Sequence, residues 1–222
     1  MASTPSFLFV ELAAEHHNQV RVLEHVAEAV TRAGGEVLGF AAPGRVACLE
    51  PGTVAAGILL ARFADAGVAT RSVQNDLLPV LRGALPDGYV PTVYLVAGLP
   101  TTGLPEMLAI PTVASVPVPP RVPRNSLMVI RGSVTNQAQL DLYRDVILPM
   151  IKERKGYYEV FALSAGEVTV ICGEWRDQIF AVSRWPAAAA AADFWYSDRY
   201  QQTAIPLRLG YGRFAVHLFD AV

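Results

Sequence analysis

The stretch GEWRDQIFAVSRWPAAAAAADFWYSDRY, residues 173–200, contains all three tryptophans of the chain. The stretch begins at the end of a β-hairpin arm and continues as a strand that ends before Pro186. An aromatic-rich helix follows from about Ala187. An arm, a strand and a helix in this order make up the second half of a βαββαβ unit. The flanking sequence must therefore supply the rest of that unit.

Working outward, residues 127–133 predict a strand and Thr135-Asn136 cap a helix that runs to about Arg154. Strands follow at 157–163, 168–175 (the arm) and 179–185, and the chain closes with a strand at 214–219. The first half repeats this order, with strands at 7–11, 36–42, 46–50 (the arm), 58–63 and 93–96. Its helices are predicted at 18–33, capped by Asn18, and at 70–81.

Two segment pairs indicate that this repeat is a tandem duplication. VACLE at 46–50 aligns with VICGE at 170–174, and LARF at 60–63 aligns with VSRW at 182–185. Residues 101–124 are rich in proline without a regular period, which is typical of an extended linker. We expect an N-terminal unit at 1–100, a linker at 101–124 and a C-terminal unit at 125–222.

Composition excludes several classes of protein. A chain of 222 residues with 52% hydrophobic residues and a net charge of −2 is globular and does not attract nucleic acid broadly. Prolines interrupt its most apolar stretch, so no membrane span is predicted. Cys48 and Cys172 form no disulfide framework or metal-ligand spacing, and a cytoplasmic location is expected. A small-molecule substrate and a possible homodimer are the predicted partners.

The C-terminal half resembles the family catalogued as domain of unknown function 1330. The likeness is carried by Thr135-Asn136, Tyr143-Arg144, Pro149, Gly156-Tyr157-Tyr158, Gly173-Glu174-Trp175, Ala192-Asp193-Phe194-Trp195, Tyr200 and Arg208. Arg184 and Trp185 stand where the family usually has an acidic residue and Phe. The resemblance implies α+β architecture, with two ferredoxin-like βαββαβ units forming an intramolecular dimeric α/β barrel. Each sheet would then bury its second apolar face against the other.

Strand parity identifies three polar residues at otherwise apolar positions, Arg131, Arg184 and His217. Strands one, three and four of a ferredoxin-like sheet are neighbours, so all three side chains would line one cavity if they share a face. Alternatively, the arginines pair with Glu174, Glu159 or Asp177, and His217 is an ordinary core or edge histidine.

The aromatic side chains of the opening stretch predict a wall for a flat ligand, with core packing as the alternative. Tyr196 and Tyr200, four residues apart, are expected on one helix face. Tyr200 and Asp198 would supply a hydroxyl and a carboxylate at the rim. The predicted substrate-binding residues are Trp175, Trp185, Trp195, Tyr196, Glu174 and Asp198.

No metal site and no cofactor are predicted. The adjacent His16 and His17 cannot both ligate from one helix face, and no acidic partner has convincing spacing. Haem is a less favoured alternative, for which His217 or a histidine of the first helix is available.

These features predict a cofactor-independent enzyme, such as a cyclase, isomerase, lyase or monooxygenase, acting on a hydrophobic oxygenated molecule. Arg184 or Arg131 would stabilise an enolate or carboxylate, and His217 or Tyr200 would transfer a proton. The alternative is a non-catalytic small-molecule binder or a structural barrel. Convergence of Arg184 and His217 on a cavity favours the enzyme, whereas closed ion pairs in a filled core oppose this site.

Overall fold

The computed structural model describes residues 4–13, 18–99, 110–112, 115–116, 125–163 and 165–222. The first half contains β1 (Ser6–Ala13), α1 (Gln19–Arg32), β2 (Glu36–Ala41), β3 (Ala47–Cys48), β4 (Ala56–Phe63), α2 (Ala66–Ser72), α3 (Leu78–Ala84) and β5 (Thr92–Ala97). The second contains β6 (Ser126–Val134), α4 (Gln137–Glu153), β7 (Tyr157–Ala162), β8 (Val168–Cys172), β9 (Ile179–Trp185), α5 (Ala188–Tyr196), α6 (Ile205–Arg208) and β10 (Gly212–Asp220).

The strands form two antiparallel sheets that exchange their arms. One sheet has the order β2-β4-β1-β5 and gains β8, the arm of the second half, beside β5. The other has the order β10-β6-β9-β7 and gains β3, the arm of the first half, beside β10. Each half therefore completes the sheet of the other.

The two sheets face each other across a shared apolar interior, which we call the barrel interior. Alternate residues of strands from both halves are buried there, including Phe7, Phe9, Leu60, Leu127, Val129, Phe180, Val182 and Phe219. Burial of an apolar side chain stabilises the fold by about 1.5–3 kcal/mol. This shared face holds the two halves together, and the predicted α+β class with ferredoxin-like strand order is confirmed.

The opposite face of each sheet is covered by the helices of its own half. In the second half, the side chains of β6 that alternate with Leu127 and Val129 pack under α4 and α5. Asn136 caps α4 as predicted, with its side-chain oxygen accepting from the Gln139 amide at 3.2 Å. The helix-facing side of this sheet carries most of the aromatic residues.

A π-helical turn interrupts the second helix of each half. The turns are Val73–Leu77 and Tyr200–Ala204, and they lead into Leu78-Pro79 and Ile205-Pro206. A π-helical turn contains an extra residue compared with an α-helical turn. Proline has no amide hydrogen and cannot continue the ladder of α-helical hydrogen bonds, so the extra residue is accommodated just before the proline. The predicted helix at 70–81 is confirmed, but the helical segment is longer than predicted, starts at Ala66 after the Asp65 cap and contains this π-helical turn.

Three other predictions concern the cap of α1, the linker and the adjacent histidines. Asn18 precedes α1, but it has φ 102° and its side chain makes no capping hydrogen bond, so its predicted cap is wrong. Most of the predicted linker lies outside the described residues, although Thr112 pairs with Tyr158 of β7. His16 and His17 also lie outside them.

Candidate functional site

Arg131, Arg184 and His217 share the face of the sheet that points to the barrel interior. The register places Arg131 opposite Phe180 and Arg184 opposite Leu127. These positions are four residues apart along β6, which corresponds to roughly 13 Å. The arginines lie toward opposite ends of the barrel interior, so the structure does not bring the three side chains into contact, and a cavity shared by all three stays a prediction.

Arg131 lies toward one end, and His217, opposite Val129, lies midway between the levels of the two arginines with Arg131 and Glu11 as charged neighbours. Arg131 Nη2 donates to Glu11 Oε2 at 2.6 Å, and its guanidinium carbon lies 5.5 Å from the centre of the Phe9 ring. His217 is 1% exposed and its Nε2 lies 3.0 Å from the Val54 carbonyl oxygen. That carbonyl can only accept, so Nε2 carries hydrogen and Nδ1, which has no partner, is unprotonated in the neutral ring. Burial lowers the pKa of His217, and Arg131 adds to this effect.

Replacing His217 with glutamine should reduce the loss of stability below about pH 6.5. In the wild type, the unfolded chain regains the ordinary histidine pKa and takes up a proton that the folded chain does not. The free energy of unfolding therefore falls as the pH decreases through that value. The side-chain amide of the introduced glutamine can still donate to the Val54 carbonyl, and urea unfolding on either side of pH 6.5 measures the difference. A variant with unchanged pH dependence, or an equal effect from His25→Gln on α1, would contradict this assignment.

Arg184 lies toward the other end in a network of ion pairs. Its Nε donates to Glu159 Oε1 at 2.5 Å, and Arg62 from the first half lies 3.7 Å from the same carboxylate. Arg62 also contacts Glu36 at 2.5 Å. The pairing of Arg184 with Glu159 is the alternative that the sequence left open. Burial, with Glu159 nearby, raises the pKa of Tyr157 to about 12.

A second location, between the second sheet and its helices, gathers most of the aromatic residues. We call it the aromatic cavity. It is lined by Met128, Ile130, Tyr143, Ile147, Ile151, Tyr158, Ser183, Trp185, Phe194, Trp195, Tyr200, Arg208, Phe214 and Val216. The free volume of this cavity is about 20 Å³. That is room for one or two waters in this conformation.

Arg208 is the charged residue in this lining. It is 6% exposed, and its Nη1 and Nη2 donate to the two carboxylate oxygens of Glu50 at 3.1 and 2.5 Å. Its guanidinium carbon lies 4.7 Å from the centre of the Phe214 ring, 5.7 Å from that of Tyr143 and 5.9 Å from that of Trp195. Burial is the largest single effect and opposes the charge, but Glu50, Tyr143 and Tyr200 together outweigh it and raise the pKa of Arg208. Its Nε is buried and makes no hydrogen bond, although the guanidinium lies near enough to the hydroxyls of Tyr143 and Tyr200 to offset part of the rise that burial gives their pKa values.

Two tyrosines form the other polar group of the cavity. The hydroxyls of Tyr143 on α4 and Tyr200 in the π-helical turn are 2.9 Å apart. Burial raises the pKa of both, so both remain protonated at neutral pH. One hydroxyl donates to the other, which leaves one hydrogen available to a third group. Trp185 Nε1 is already satisfied by Ser183 Oγ at 2.9 Å.

Glu50 reaches Arg208 because the arm of the first half pairs with the second sheet. Leu49 donates its amide to the Val216 carbonyl at 3.0 Å, and Val216 donates to Thr53 Oγ1 at 3.2 Å. The Thr53 amide also donates to the Glu50 carbonyl at 3.0 Å. These bonds fix the backbone on both sides of Glu50 along the edge of β10.

Other predicted site residues lie apart from both locations. Tyr196 is 65% exposed, Asp198 is exposed, and Glu174 pairs with Arg176 at the surface. Tyr196 and Tyr200 do not share a helix face, because α5 ends at Tyr196 and Ser197 has extended backbone. Trp175 packs against Tyr94 with ring centres 5.2 Å apart, on the barrel-interior side of the sheets.

The structure therefore groups Trp185, Trp195 and Tyr200 as predicted, and adds Tyr143, Arg208 and Glu50. Tyr143 and Arg208 are among the residues that carry the family resemblance, so this signal was present in the sequence. Both residues lie on helices, about which strand parity gives no information. Nothing in the sequence associates Glu50 with Arg208, which is 158 residues away.

The described residues contain no group of three His, Cys, Asp or Glu side chains that could hold a metal ion. No histidine lines the aromatic cavity, and His217 lies on the opposite face of the sheet. The cavity therefore does not fit a haem held by His217. Within the same ranges, no helix has the length and apolar character needed to cross a membrane.

Comparison with known proteins supports the fold. Residues 125–222 match the family described as "Domain of unknown function (DUF1330)". The structure is similar to a proposed monooxygenase from Fusobacterium nucleatum subsp. nucleatum ATCC 25586, with 8% identity, a TM-score of 0.56 and coverage of 100% of this chain and 94% of that one. A proposed monooxygenase from Lactobacillus acidophilus NCFM has 9% identity, a TM-score of 0.51 and 99% coverage of both chains.

A variant of chlorite dismutase from Candidatus Nitrospira defluvii is also similar, with 10% identity, a TM-score of 0.52 and coverage of 98% of this chain and 92% of that one. No curated protein matches the sequence significantly. At these identities the structural likeness concerns the fold alone. It confirms the ferredoxin-like dimeric α/β-barrel architecture, formed here within one chain.

Proposed function

We propose that the aromatic cavity binds a hydrophobic, oxygen-bearing small molecule and that the protein converts it without a cofactor. The observation that carries this proposal is the environment of Arg208. A guanidinium buried among three aromatic rings, with an unpartnered Nε beside a hydrogen-bonded tyrosine pair, is a costly arrangement in a purely structural core. Such convergent donors in an apolar cavity are typical of a ligand site.

The donors suit a carbonyl or phenol oxygen. Arg208 Nε and the free hydroxyl hydrogen of the tyrosine pair can both donate to one oxygen, and this polarises a carbonyl toward an enolate. The raised pKa values make Tyr143 and Tyr200 hydrogen-bond donors or acids and not bases. Trp185, Trp195 and Phe214 provide ring faces for the apolar part of the ligand. The roles predicted for Arg131, Arg184 and His217 stay predictions.

Entry of a ligand requires the cavity to widen, because its present free space suits only water. The π-helical turn at Tyr200–Ala204 and the short α6 form one side of the cavity. π-helical turns break the regular hydrogen-bond ladder and often occur at functional sites. Movement of this segment away from α4 would open the space between Tyr143 and Tyr200.

A second candidate function is a non-catalytic binder or a structural barrel. It is favoured by the small free volume of the cavity and by the closed Arg208–Glu50 pair. Under this reading, Arg208 stabilises the contact between the two halves and touches no ligand.

Ligand-observed NMR with a library of neutral aromatic ketones and phenols separates the two candidates. We expect wild type and Arg199→Met, an exposed control, to bind the same compounds. Arg208→Met should weaken binding about ten-fold or more, since a hydrogen bond to a charged group contributes about 1.5–3 kcal/mol. Tyr200→Phe should also weaken binding.

Folding of each variant is checked by circular dichroism. Equal binding by Arg208→Met, or no binding by wild type, would contradict the proposal. Arg184→Ala tests the arginine that strand parity predicted. If ligand binding is lost in this variant alone, the site lies in the barrel interior and not in the aromatic cavity. Turnover of any ligand found, measured by mass spectrometry, decides between enzyme and binder.

We also propose that the two halves arose by tandem duplication, with the second half retaining the site. Both second strands carry a register shift, between Val37 and Gly39 and between Tyr158 and Val160. Both second helices contain a π-helical turn before an apolar residue and proline. The first half has no tryptophan, so the fold itself does not require the aromatic residues of the second half.

A further inference from the structure

The aromatic cavity is close to electrically neutral. Arg208 is the one formally charged side chain among the residues that line it, and the Glu50 carboxylate neutralises that charge through two hydrogen bonds. Tyr143 and Tyr200 are uncharged at neutral pH, since burial raises the pKa of both. An anion entering this space would therefore lose hydration without gaining an unpaired cation.

Displacement of Glu50 by a ligand carboxylate is also unfavourable. The backbone on both sides of Glu50 is held by hydrogen bonds to β10 and within its own turn, as described above. A free carboxylate must compete with a group that is already in place and bound through both oxygens. The covalent attachment of Glu50 to the fold gives it a high effective concentration at Arg208.

A ligand with a neutral hydrogen-bond acceptor avoids both the loss of an anion's hydration and the competition with Glu50. The Nε of Arg208 remains buried and unpartnered while both Nη atoms are engaged by Glu50. A carbonyl or phenol oxygen can accept from Nε without disturbing the ion pair. The atoms left without partners therefore match a neutral oxygen.

We propose that Glu50 determines ligand specificity, making the cavity select neutral carbonyl or phenol compounds over carboxylates and phenolates. This inference rests on the proposed function, because it concerns the same cavity. It also gives the arm of the first half a role in the site of the second.

The test uses 4-nitrophenol, whose pKa lies near neutrality, so that one probe of constant shape carries either no charge or one negative charge. Acetophenone, which does not ionise in this range, controls for changes in the protein. Dissociation constants are measured by ligand-observed NMR from one pH unit below the pKa of the probe to one unit above it. For wild type we expect the affinity for total 4-nitrophenol to fall about ten-fold across this range, following the neutral fraction. The affinity for acetophenone should stay constant.

Glu50→Gln keeps a hydrogen-bond acceptor for Arg208 and removes the negative charge. We expect this variant to bind the phenolate at least as well as the phenol, so that the ten-fold fall disappears or reverses. Glu28→Gln, which removes the same charge from the exposed surface of α1, should behave as wild type. If Glu50→Gln does not fold, the pH series of wild type with both probes still tests whether the cavity selects neutral ligands.

The possible outcomes are distinct. Binding of acetophenone with equal wild-type affinity for phenol and phenolate leaves the site in place but overturns the selection by charge. An unchanged pH profile in folded Glu50→Gln overturns the role of Glu50. Absence of binding by either probe at any pH overturns the proposed site and this inference with it.

Discussion

Replacing Glu50 with alanine should lower the free energy of unfolding by about 3–5 kcal/mol, because the guanidinium of Arg208 then stays buried without a counterion. The pair is well enclosed, with the side chains of Arg208 and Glu50 6% and 18% exposed. The loss would be a large part of the 5–15 kcal/mol that typically stabilises a domain. Urea denaturation followed by tryptophan fluorescence measures it directly, since Trp195 lies beside Arg208.

A double variant provides the control for this prediction. Glu50→Leu combined with Arg208→Met replaces both charges by apolar groups and should recover most of the lost stability. The same double variant should not bind any ligand that depends on Arg208. A loss below about 1 kcal/mol in Glu50→Ala would place the pair among ordinary surface ion pairs and contradict its burial.

Expressing residues 125–222 alone should yield a protein that is not a folded monomer. In the full chain the inner face of this sheet is covered by the first sheet, which leaves Leu127, Val129, Phe180, Val182 and Phe219 between 0 and 2% exposed. At about 1.5–3 kcal/mol for each side chain, exposure of five such groups costs roughly as much as the whole stability of a domain. The fragment also loses β3 from the edge of β10, together with Glu50.

We expect the fragment to form a homodimer, with two such inner faces packed together, or to aggregate. Light scattering coupled to size-exclusion chromatography gives its mass. Addition of the separately expressed residues 1–100 should convert it to a one-to-one complex. A monomeric fragment with a cooperative unfolding transition would show that the second half folds independently, contrary to this expectation.

The strands and their faces were predictable from the sequence because their signals are local. Alternation along β6 and β9 correctly placed Arg131 and Arg184 on the face of Leu127 and Val182. The positions of Arg131 and Arg184 along the barrel interior were not predictable in the same way. They depend on which residues stand opposite each other across strands, and that register follows from packing against the other sheet.

The aromatic site was predictable in part. Trp185, Trp195 and Tyr200 were identified because they are surplus to what the first half needs for the same fold. Tyr196 was misplaced because Ser197 ends α5 and prevents a common face with Tyr200. A single residue with extended backbone is enough to cancel an inference from helical spacing.

The order of the elements, the repeated architecture, the apolar faces of the strands and the aromatic character of residues 173–200 could all be predicted from the amino-acid sequence. These properties depend on periodicity and on residues close together in the chain. The folded chain was needed to show that Arg131 and Arg184 lie apart, that the arms are exchanged, and that Glu50 neutralises Arg208. Glu50 and Arg208 are 158 residues apart in the sequence, and their pairing depends on how the two sheets pack their apolar faces together. That is a property of the assembled core, to which no local pattern corresponds.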